Sequence, residues 1–214
     1  MAGAVAKATG RGYPTGAGVG SARGDAAGGD APMIDDDLMA LLDPVFASTG
    51  AVAEDGEEFR DPPLDVLKYG RRPVRLHWLP GLGRGWGVTA VVRQPVDLGL
   101  KVGGGYATLL DRLARAAHSR FPPGRDGRWG TIGLTAVVLT PEPIAPEDDA
   151  ALGAALVPRT RARVVPLGLI RLNLGQEAMA MALTTTPPDL FPEPTALADA
   201  LTPRFRRFVS LLEL

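Results

Sequence analysis

Three acids sit where apolar segments break into turns: Asp97, Glu142 and Asp189. Carboxylates gathered at the carboxyl edge of a sheet are the oxygen ligands that Mg²⁺ takes together with water, and a metal held there can assist phosphoester or nucleotide chemistry. That arrangement requires the three preceding strands to run parallel. Proline beside Asp or Glu is also ordinary turn and helix-entry chemistry, and no lysine falls beside these acids to share the work. Asp97, Glu142 and Asp189 are therefore candidates for catalysis and metal binding, with turn formation as the competing reading.

A second candidate is of a different kind. Trp86 lies between Gly85 and Gly87, close to Arg84, in a Gly-rich stretch over residues 81–87. Trp and Arg are the residue types that anchor protein interfaces, so Arg84 and Trp86 are candidates for partner binding. The competing reading folds the indole back onto the sheet beside Trp78.

Other reactive groups do not gather. The chain has no cysteine, which removes disulfides, thiolate nucleophiles and Cys-ligated zinc. His77 and His118 fall on the polar sides of their segments and read as surface residues. Gly103, Gly104 and Gly105 precede a helix but match neither the dinucleotide fingerprint nor the phosphate loop, so they read as a hinge. No serine sits in a Gly-x-Ser-x-Gly elbow. Arg159, Arg161 and Arg163, like Arg204, Arg206 and Arg207, read as solvated surface. No cofactor is expected.

The elements that must position these residues follow from periodicity. Residues 1–32 are dominated by Gly and Ala, bury too little to offset their ordering entropy, and are expected to be disordered. Asp35, Asp36 and Asp37 open a short helix with Leu38, Leu41, Leu42 and Val45 on one face, and Pro44 casts its last turn in doubt. An acidic and Pro-rich linker is expected to complete residues 33–72. Strands are expected at 73–78 and 88–93, joined as a hairpin. The strongest helix follows, with Tyr106, Leu109, Leu110, Leu113 and Ala117 on one face.

Residues 131–140 are apolar on both sides, with Ile132, Leu134, Ala136 and Val138 on one face and Val137 and Leu139 on the other. That is the pattern of a central strand covered twice. Pro146 and three acids open a short helix to Leu156. Residues 163–174 read as a strand, at an edge or with a bulge because of Pro166 and Gly168. Another strand follows over 177–186, whose alanine face (Ala178, Ala180, Ala182) suits close approach of a helix. A helical region from Thr195, restarting at Thr202 and Pro203, closes the chain. Residues 74–121 and 164–209 share a ββα layout and similar Pro-Asp turns, which two independent turns explain as well as duplication does.

The 214 residues thus predict an α/β fold: a single mixed-sheet domain over 73–214, with about five strands and helices packed on it, in the order α-β-β-α-β-α-β-β-α. A net charge of −1 gives no global field to hold nucleic acid, so no such partner is indicated, with local binding neither excluded nor favoured, and no apolar run is long enough for a membrane span. The absence of cysteine fits a reducing cytoplasm. The expected function is a non-catalytic accessory module that binds another protein; the alternative is a metal-assisted phosphoester or nucleotide-acting enzyme built on the strand-end acids.

Overall fold

The computed structural model describes residues 35–56, 64–75, 84–100, 104–120, 130–156, 164–185 and 190–207. All of them lie in one compact unit, Pro32–Leu214. The segment 1–32, His77, Trp78 and the arginines 159, 161 and 163 lie outside the described residues.

The chain runs α1 (Asp35–Ser48), β1 (Val52–Asp55), β2 (Val66–Arg75), β3 (Arg84–Arg93), α2 (Gly105–Arg120), β4 (Gly130–Leu139), α3 (Asp148–Ala155), β5 (Val164–Asn173), β6 (Ala178–Leu183), α4 (Glu193–Leu201) and β7 (Arg206–Arg207). One mixed sheet holds seven strands in sequential order, β1 to β7. The class is α/β as expected, with two strands more than the predicted five. The segment expected to be a linker supplies β1 and the start of β2. The final helix stops at Leu201, and the chain turns into the short β7 instead of restarting at Thr202.

The three central strands, β3, β4 and β5, pair in parallel, while β1–β2, β2–β3 and β5–β6 are antiparallel. Parallel strands belong under cover on both faces, and β4 is buried along nearly its whole length. Its even-numbered residues Ile132, Leu134, Ala136 and Val138 pack under α2 and α3. Val137 and Leu139 pack with α1 and α4 on the opposite face. The core is therefore two apolar layers separated by the sheet.

Strand direction explains which helix lies where. Crossovers between parallel strands are right-handed in nearly every protein. β3 and β4 point the same way and both step in the same direction along the sheet, so α2 and α3 share a face. β6 is reversed, so its crossover to the parallel β7 carries α4 to the other face. The units β2-β3-α2-β4 and β5-β6-α4-β7 thus have the same connectivity on opposite faces.

Local details follow from particular residues. β5 is an interior strand; Pro166 and Gly168 are accommodated by a register shift opposite Leu134 and Thr135, as a bulge allows. Ala182 of β6 lies close enough to α3 that a methyl group on Gly153 would stand 4.0 Å from it. α1 continues through Pro44, which is exposed. Gly104, just before α2, has φ +79°, a backbone setting that glycine adopts without strain.

Candidate functional site

Three parallel strands bring the residues after Arg93, Leu139 and Asn173 to one rim of the sheet. Gln94, Thr140 and Glu142 are linked there. The Gln94 amide donates to Glu142 Oε1 (2.7 Å) and to the Leu98 carbonyl (3.2 Å), and Thr140 Oγ1 bonds Gln94 Oε1. Asn173 holds the β4–α3 turn by donating to the Pro141 and Glu142 carbonyls.

Beneath this layer lies Arg171, a fully buried guanidinium in the middle of an apolar strand. Its Nη1 donates to Asp148 Oδ2 at 2.7 Å, and Asp148 is itself buried. Nη2 faces Thr140 Oγ1 (3.4 Å), the Glu142 carbonyl (3.3 Å) and Glu142 Oε2 (3.4 Å), all long for hydrogen bonds. Asp148 also accepts from the Ala145 N–H at 2.8 Å, which ties the start of α3 to the rim. Tyr106, in the first turn of α2, brings its buried hydroxyl to the same group. Neither that hydroxyl nor Arg171 Nε makes a well-formed hydrogen bond among the described residues, although the hydroxyl and the guanidinium lie close enough to influence one another.

Burial pushes the Tyr106 phenol up to about 12; Asp148 and Glu142 add to the rise and Arg171 opposes it. On β2, burial and a hydrogen bond to Glu54 raise Tyr69 to about 12 as well. Glu54 is lowered, first by that bond and then by Arg71. A raised folded-state pKa means stability that is complete below the unfolded value, near 10, and lost as pH rises through about 12. Alkaline unfolding should therefore follow tyrosinate formation at 295 nm, and Tyr106→Phe should move its midpoint to higher pH. A midpoint left unmoved by both Tyr106→Phe and Tyr69→Phe would contradict this assignment.

Of the acids singled out by sequence, Asp97 and Glu142 are described, and each faces an arginine. Asp97, exposed, is clamped by Arg112 through two contacts of 3.2 and 2.8 Å, and that hydrogen bonding lowers its pKa. Glu142 belongs to the Gln94 and Arg171 group. The strand that precedes Asp189, β6, is antiparallel to β5, so its carboxyl end points to the opposite rim; Asp189 itself lies outside the described residues. The requirement of three parallel strands is thus not met. Among the described residues no group of three His, Asp or Glu side chains is placed to hold a metal ion. His118 is exposed, as expected from its place on α2.

Trp86 is not at a loop tip. β3 begins at Arg84, and Trp86 is paired within it between Pro73 and Ile132. The indole is half-buried against the core under α2, with the Arg71 guanidinium 5.9 Å from the ring centroid. Arg71 in turn pairs with Glu54 at 2.5 Å. Sequence reasoning missed Arg171, Asp148 and Tyr106. The available signal was Arg171 itself, a lone charge in a strand that is apolar on both faces, where burial demands a partner.

Among the described residues no helix is long and apolar enough to cross a membrane. No protein-family model, curated protein or solved structure matches the chain.

Proposed function

We propose that the chain is a non-catalytic, intracellular accessory module that binds another protein through the sheet surface around Trp86 and Arg84. The observation that carries this reading is the row formed by Val52, Arg71 and Trp86 on neighbouring strands. Val52 is 58% exposed, Arg71 pairs with it in register, and Trp86 stands diagonally beyond with the Arg71 guanidinium against its ring. α2 and α3 pack mainly over β4, β5 and β6, on the same face of the sheet as this row. A half-buried Trp held in a fixed orientation by packing is the kind of anchor around which interface energy concentrates.

Two features weigh against the metal-assisted enzyme. Asp97 and Glu142 already face arginines of their own chain. The sheet order is also strictly sequential, so adjacent crossovers never diverge, and divergence is what opens a ligand crevice at the strand ends of open α/β sheets.

The test uses the whole chain as bait in four forms: wild type, Arg84→Glu, Asp97→Ala and Trp86→Ala. A protein retained by wild type and Asp97→Ala, but lost by Arg84→Glu and Trp86→Ala, supports the reading. Because Trp86→Ala also removes core packing, its melting curve is recorded alongside. Retention of every captured protein by both Arg84→Glu and a folded Trp86→Ala would sink it.

A further inference from the structure

We infer that the rim group around Arg171 is a binding site for a small carboxylate anion, for which the Glu142 side chain acts as an internal stand-in. The inference is independent of the surface around Trp86. It begins with the geometry of the guanidinium. Nε and Nη2 lie on one edge of that plane and together make the fork that grips a carboxylate with two parallel hydrogen bonds. In Arg171 the other nitrogen, Nη1, is committed to Asp148 at 2.7 Å. The fork edge is poorly served: Nε has no partner among the described residues, and Nη2 meets Glu142 Oε2 only at 3.4 Å. A fully buried guanidinium with one short bond is far from the coordination its donors can support.

Tyr106 supplies a second donor to the same place. Its hydroxyl is buried, makes no well-formed hydrogen bond among the described residues, and lies near enough to the Arg171 guanidinium for hydrogen bonding from it to oppose the rise in its pKa. It therefore reaches the group as a neutral O–H able to donate. Both features favour an acceptor oxygen bearing negative charge.

The acids nearby limit what can bind. Arg171 carries one positive charge against Asp148 and Glu142, so adding an anion to the closed group would build up negative charge. Exchange avoids this. Glu142 is 36% exposed and reaches Arg171 at long range, whereas Asp148 is enclosed. If Glu142 turns out to water and a small carboxylate takes its place on the fork, the net charge of the group is unchanged and the hydrogen bonds shorten. Because Arg171 is fully buried, the exchange favours a free acid of a few heavy atoms, which needs no more room than the Glu142 carboxylate leaves, over a peptide carboxylate.

The experiment titrates the full chain with sodium acetate and sodium formate against sodium chloride at equal ionic strength. It reads melting temperature and the ¹⁵N–¹H resonance of Arg171 Nε. Wild type should show a saturable rise with the carboxylates, accompanied by a shift of that resonance. Glu142→Ala removes the internal competitor and should bind acetate about fivefold or more tightly, the reverse of what loss of a merely structural acid would do. Tyr106→Phe should weaken binding about tenfold, as expected for loss of one hydrogen bond to a charged group. A wild-type protein that responds to acetate as it does to chloride overturns the inference. So does a Glu142→Ala variant that binds acetate no more tightly than wild type.

Discussion

Asp148→Ala should destabilise the fold by about 3–5 kcal/mol, because it strands the Arg171 guanidinium in the interior without its counter-charge. The two side chains are enclosed together, with 0% and 2% of their surfaces exposed, and their contact is short at 2.7 Å. Loss of the carboxylate also frees the Ala145 N–H at the entry to α3. Against a domain stability of about 5–15 kcal/mol, this is a large fraction. Urea denaturation measures it directly. Asp148→Asn, which keeps an acceptor for Ala145 but removes the charge, should lose nearly as much if the ion pair dominates. The double variant Asp148→Ala with Arg171→Met should recover most of the loss, since an apolar pair leaves no buried charge. A double variant as unstable as Asp148→Ala alone would show that packing, not charge, governs the site.

Gly105→Ala should destabilise by about 2–3 kcal/mol, although alanine in place of a helical glycine ordinarily gains about 1 kcal/mol. The reason is contact with main chain. A methyl group at position 105 would stand 2.2 Å from the Gly99 carbonyl oxygen and 2.8 Å from the Leu100 Cα. Neither atom can swing aside as a side-chain end would, so the loop from β3 or the first turn of α2 must shift. Leu100 and Tyr106 are both buried there, and they would be displaced with it. The same substitution at Gly153 is the internal control. That residue lies exposed in α3, its nearest prospective contact is Ala182 Cβ at 4.0 Å, and Gly153→Ala should gain up to about 1 kcal/mol. Equal effects at the two positions would refute the steric argument.

Much of the layer structure was legible before folding. The double apolar face of β4, the alanine face of β6 and the apolar stripe of α2 all reach the partners their spacing implied. β2 was misplaced for a reason that can be named. The part of it before Pro73 carries Lys68, Arg71 and Arg72 among small and apolar residues, which reads as surface linker. In the fold each cation has an acid: Lys68 pairs with Asp43, Arg71 with Glu54 and Arg72 with Glu193 at 2.7 Å. A register shift between Val66 and Lys68 further breaks the alternation. The final helix was over-extended because Thr202 and Pro203 resemble a helix start, whereas the chain there returns to pair with β6. Of the rim residues, Glu142 stood out in the sequence only as a candidate metal ligand, and Arg171, Asp148 and Tyr106 did not, since each looked like an ordinary member of its own element.

Hydropathy spacing along the chain determined the class of the protein: short apolar strands alternating with amphipathic helices, and one strand buried from both sides. Those properties depend on neighbours within a few residues, so they survive in a bare string of letters. Tertiary structure alone decided that β6 runs against β5, which separates the end of that strand from Asp97 and Glu142. It also decided that Arg171 meets Asp148 across 23 positions. Strand direction and charge pairing are set by contacts between distant segments, where a buried ion must find its opposite or the fold fails, and no local pattern records which partner it finds.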